Sequence, residues 1–92
     1  MSDAEKCKLI REFEGIYAND ILTADYPHDL RATMRAARRL PDDAQLIVTS
    51  LAESHVLCTG TVYYCSTETR QKGDIARAAF EALAAYLAKE RP

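Results

Sequence analysis

The sequence predicts a small α+β domain of order α-α-β-β-α, with a small antiparallel sheet packed on helices. Three observations carry that reading: a capped amphipathic stretch at the N-terminus, a central block rich in β-branched residues, and an alanine-rich final segment with helical periodicity.

Ser2-Asp3-Ala4-Glu5 has the pattern of a capping box, in which the serine oxygen and the glutamate satisfy the first free amides of a helix. Behind it Leu9, Ile10, Phe13, Ile16 and Tyr17 share one arc of the helical wheel, with Lys8, Arg11 and Glu12 mostly outside it. The first helix is expected from Asp3 to about Asn19, weakened at Gly15 by roughly 1 kcal/mol relative to alanine. After a connector from Asp20 to Tyr26, Pro27 is expected to open the second helix, with Asp29 complementing its dipole. Leu30, Met34 and Ala37 form its expected inward face, with Leu40 near the edge, and Pro41-Asp42-Asp43 ends it in a turn.

Gln45 to Leu51 reads as a strand, Ala52-Glu53-Ser54 as a short connection, and His55 to Ser66 as a longer strand, together a β-hairpin open to extension by a third strand or a partner. Gly60 within the long strand marks a bulge or a bend. Thr67 to Gly73 is a polar loop, and Asp74 or the glycine before it opens a final helix that runs to about Lys89.

At 92 residues the chain fits one domain, and 48% hydrophobic with 28% charged residues excludes a disordered tail. A net charge of −2 gives no overall pull toward nucleic acid or anionic membrane. The N-terminus is charged from Asp3 and lacks an apolar core, so no signal peptide is expected, and no apolar run has the length of a membrane span. Three cysteines in no zinc or redox spacing suit free thiols in a reducing cytoplasm.

Chemistry-bearing patterns are sparse. Cys58 and Cys65 stand seven residues apart, on opposite faces of a continuous strand, and read as small core residues. Cys7 lies just beyond the first helical turn, where the dipole lowers a thiol pKa only weakly. His28 and His55 have no ligand partners at zinc-site spacing, so neither a metal nor a cofactor is expected. Ser50, Glu53, Ser54 and His55 are too close on one turn to face each other as a nucleophile, base and orienter. The three glycines are isolated and form no phosphate cradle, so the chain does not read as an enzyme.

Three features point to a partner. Arg31, Arg35 and Arg38 recur along one flank of the second helix, with Arg39 beside them, suited to carboxylates or phosphates. On the final helix Ile75, Ala79, Ala82, Leu83 and Tyr86 form one apolar face and Ala76, Phe80, Ala84 and Leu87 a second. Such a helix is either central to the monomer or exposes its second face to a partner. The long strand would also leave about Val62 to Ser66 unpaired, an edge bearing Tyr63 and Tyr64 that invites strand addition.

The expectation is therefore a non-enzymatic protein-binding module: a regulator, adaptor or inhibitor, homodimeric, cytoplasmic, of the kind found among phage accessory proteins. Its contact residues would be Phe80, Leu87, Ala76, Ala84, Tyr63, Tyr64, Arg31, Arg35 and Arg38. The alternative is a nucleic-acid-binding domain built on the arginine stripe, and a third reading is a small enzyme or thiol sensor using Cys58 or Cys65.

Overall fold

The computed structural model describes residues 2–15, 25–49, 53–58, 61–66 and 75–90; the side chains of residues 53–55, 58, 61–66 and 90 lie outside that description. Its elements are α1 (Asp3–Glu14), α2 (Leu30–Ala37), β1 (Ala44–Val48), β2 (Glu53–Cys58), β3 (Thr61–Ser66) and α3 (Ile75–Glu90). The fold is the expected α+β class, but the sheet has three antiparallel strands in the order β1-β2-β3.

The N-terminal capping box forms as the sequence predicts. The Glu5 amide donates to the Ser2 Oγ at 3.2 Å, and the Ser2 amide donates to the Glu5 carboxylate at 3.3 Å. The helix then stops at Gly15 instead of continuing to Asn19. Gly15 adopts φ 66°, the left-handed cap conformation, and its amide closes on the Glu12 carbonyl. Ile16 and Tyr17, expected on the buried arc, fall outside the described residues, as do the loop 67–73 and the cap at Gly73 or Asp74.

α2 begins later than expected, because Asp29 is its N-cap and accepts from the amides of Arg31 and Ala32. It is also rotated from the expected orientation. Ala32, Thr33 and Ala36 are buried, whereas Met34 is exposed and Leu30 and Ala37 are half-buried. Small residues let α2 approach α3 closely, and the Thr33 hydroxyl donates to the Tyr26 carbonyl at 3.2 Å, which removes the cost of burying it.

The run expected as one long strand is two. β2 pairs with β1 from Ala44↔Cys58 to Val48↔Ser54, and with β3 from Glu53↔Ser66 to Cys58↔Thr61. The segment 62–66 is therefore paired with β2 along its length instead of overhanging as a single strand, and β3 forms an outer strand of the described sheet. The opposite-face argument for Cys58 and Cys65, which needs one continuous strand, lapses with it. Cys58 stands opposite Thr61 and Cys65 opposite Ser54, so the two cysteines are offset by roughly 13 Å along the ladder, too far for a disulfide.

α3 lies at the centre, packed against all three strands, α1 and α2. Ala78, Ala79, Phe80, Ala82, Leu83, Ala84, Tyr86 and Leu87 are buried, together with Ile10, Tyr26, Leu46 and Val56. Both of its apolar faces contribute to the core, with Ile75 and Ala76 at its start half-buried. Phe80 at 0% exposed and Leu87 at 1%, with Ala84 at 1%, are thus inside the monomer. Their expected role as partner contacts is withdrawn, and Ala76 beside them is half-buried.

Candidate interaction surface

Two polar arrangements hold the helices together and a third lies exposed in the 25–28 turn. At the N-terminal end of α3, Arg77 donates to both oxygens of Asp3 at 2.7 and 3.0 Å and pairs with Glu81 at 3.1 Å. Lys6 meets Glu81 at 3.5 Å. The Arg77 and Lys6 cations stand 5.6 and 6.0 Å from the centre of the Phe80 ring, closing the core over it. The Arg77 guanidinium, through its hydrogen bond, lowers the Asp3 carboxyl pKa.

The second arrangement is a buried carboxylate. Glu14, 1% exposed at the end of α1, accepts from the Tyr26 hydroxyl at 2.6 Å. Arg35 completes the site with Nε at 3.0 Å and Nη2 at 3.4 Å from the two oxygens. Burial first, then the bonded Glu14, raises the Tyr26 hydroxyl pKa far above its usual value. Arg35 therefore joins α1, α2 and the 25–28 turn while leaving about half its side chain in solvent. The third arrangement is exposed: His28 Nδ1 lies 3.0 Å from the Asp25 carboxylate.

With Arg35 engaged, Arg31, Arg38 and Arg39 form no ion pair among the described residues and are exposed. Met34, 38% exposed, lies on the same helical flank as Arg31, Arg35 and Arg38. Beside it a groove of about 340 Å³ runs between the end of α2 and β1, lined by Met34, Ala37, Leu40, Ala44 and Leu46, with Arg38 on its rim. A second depression of about 660 Å³ continues along α2, bordered by Leu30, Arg31, Met34 and Arg38. Arg38 caps α2 at its C-terminus, and the 3₁₀-type bonds from Arg39 to Ala36 and from Leu40 to Ala37 carry the chain on to Leu40 in the groove lining.

Of the residues expected to meet a partner, the structure therefore groups Arg31, Arg35 and Arg38 at one surface. Phe80, Ala84 and Leu87 belong to the core. Tyr63 and Tyr64 stand on β3 opposite Val56 and His55. Sequence reasoning missed Met34, which it turned inward, and Glu14. The signal for Glu14 was available: it follows Ile10 by four residues, so it falls on the apolar arc of α1 and needs a cation. For Cys7, burial raises the thiol pKa, the reverse of the dipole effect considered from its position.

Among the described residues no cluster of His, Cys, Asp or Glu could hold a metal ion, and no helix is long and apolar enough to cross a membrane. Compared with family models, curated proteins and solved structures, the chain matches none.

Proposed function

We propose that the protein is a non-enzymatic, cytoplasmic protein-binding module, a small regulator, adaptor or inhibitor, whose contact face is the outer side of α2. The observation that supports it is an exposed Met34 set between guanidiniums that form no ion pair among the described residues and a groove with Ala37, Leu40, Ala44 and Leu46 in its lining. A lone exposed methionine would carry no weight. Methionine and arginine together are enriched at protein interfaces, where one supplies adaptable apolar contact and the other directional hydrogen bonds. Glu14, a buried carboxylate that could otherwise suggest catalysis, has its oxygens engaged by Tyr26 and Arg35.

A dimer through the second face of α3 is no longer part of the reading. Self-association through the sheet remains part of it, since Leu57 is 41% exposed and Ile47 half-buried, on strand positions alternate to the buried Leu46 and Val56. Light scattering over a concentration series reads it directly.

The test of the α2 face is affinity capture with the wild type and with an Arg31→Gln/Arg38→Gln variant from extract of the native host, with and without nuclease treatment. The expected result is a protein retained by the wild type and lost with the variant. An identical set on both would contradict the reading. A contact that nuclease abolishes and salt steeply weakens would favour nucleic acid instead.

A further inference from the structure

We infer that the groove between α2 and β1 takes an acidic segment of a partner protein, anchored by a large apolar side chain. The inference rests on the reading of α2 as the contact face and names the chemistry of what it holds. The groove is of mixed character: Met34, Ala37, Leu40, Ala44 and Leu46 give it an apolar part, Arg38, Asp42 and Gln45 a polar one, around about 340 Å³, near the lower end of the size of protein binding pockets. That is room for a large side chain and its immediate neighbour.

Along α2 arginines outnumber carboxylates: Arg31, Arg35 and Arg38 border the two depressions against Asp29 and Asp42. Arg38 stands on the groove rim and Arg31 on the adjoining depression, with Arg39 exposed at the same end of α2, and none has an ion pair among the described residues. Arg35 adds a guanidinium that Glu14 holds in place but leaves half-exposed. An arginine fixed by one carboxylate keeps N–H donors for another, in a planar fork that suits a carboxylate.

Two carboxylates of the chain set the direction of the segment. Asp42 lines the groove at the Pro41 turn, and Asp29 borders the other depression, where it also caps α2. Acidic residues of the segment are therefore favoured over the middle of α2 and disfavoured at the Asp42 end. A nucleic-acid strand carries negative charge at every step and would meet both aspartates. It would also find no aromatic platform among the residues lining either depression.

The experiment is selection of a displayed random-peptide library on the wild-type chain. Selected peptides are then titrated against the Arg31→Gln/Arg38→Gln and Met34→Ser variants, each checked for an unchanged circular-dichroism melt. The expected pool is rich in Asp and Glu next to Leu, Phe or Met. Its members should bind at least about tenfold more weakly to both variants. Replacing the apolar anchor with serine should weaken binding as much. A pool lost on the α2 variants but lacking acidic residues, or indifferent to the anchor, would overturn this inference while leaving α2 as the contact face. A pool indifferent to both variants would overturn the contact face as well. Single- or double-stranded DNA binding more tightly than every selected peptide would overturn the inference in favour of nucleic acid.

Discussion

α2 and α3 both bury alanines against the rest of the chain, yet what each leaves outside is opposite. α3 is apolar around most of its circumference and has a neighbour on nearly every side: the sheet, α1 and α2. α2 is mixed, buries only Ala32, Thr33 and Ala36, and presents Met34 and its arginines to solvent. The amount of apolar residue in a helix thus reports how many neighbours it has. It does not report whether a face is left for a partner. In a chain this small, one helix can supply most of the core, and the proposed contact face falls on the less hydrophobic helix.

The sharpest way to break that contrast is to charge the core helix. A domain of this size has roughly 5–15 kcal/mol of stability, and a carboxylate at a fully buried position removes most of it. Phe80→Glu and Leu87→Glu should both abolish the cooperative thermal transition in circular dichroism. A folded monomer with either change would return these residues to the surface.

The next effect is at the Glu14 site. Arg35→Ala leaves a buried carboxylate with only the Tyr26 hydroxyl and should cost about 1.5–3 kcal/mol by chemical denaturation. Tyr26→Phe should cost about 1 kcal/mol, and the double variant should depart from additivity because both act on one group. A cost near zero for Arg35→Ala would make Arg35 a simple surface residue like Arg31.

Tyr26 also gives a pH signature. Its hydroxyl pKa is raised in the folded state, so the proton is held more tightly there than in the unfolded chain. That contribution is complete below about pH 10, the unfolded tyrosine value, and is lost as pH rises toward the folded value. Wild type should lose stability through this alkaline range more steeply than Tyr26→Phe. Equal slopes would count against the hydroxyl–carboxylate bond.

The smallest effect is expected on the contact face. Arg31→Gln/Arg38→Gln should change stability by no more than about 0.5 kcal/mol, since neither side chain forms an ion pair among the described residues. A large loss would show that the two arginines stabilise the monomer.

The elements set by local chemistry were readable from the sequence: the capping box at Ser2–Glu5, the β-branched centre and the final helix. What failed depended on long-range packing. Period-two alternation is the same in one long strand and in two strands joined by a turn, so only Gly60 hinted at the division of residues 55–66. Hydropathy placed Met34 inside α2 because it ranks above Thr33. The structure reverses them, since close packing on α3 favours small side chains and the Tyr26 carbonyl satisfies the Thr33 hydroxyl. The arginines could be placed on one flank by their spacing. That Arg35 is bound to Glu14, and its neighbours are not, follows from how α1 and α2 meet.

Amide hydrogen exchange of the wild-type chain, alone and saturated with a selected acidic peptide, tests the central claim most directly. In the free protein the slowest exchange should lie in α3, the helix with the most buried surroundings. Peptide should add protection across residues 30–46, covering α2, the Pro41 turn and the start of β1, and leave α3 almost unchanged. New protection concentrated in residues 75–90 or 61–66, with residues 30–46 unaffected, would contradict the account.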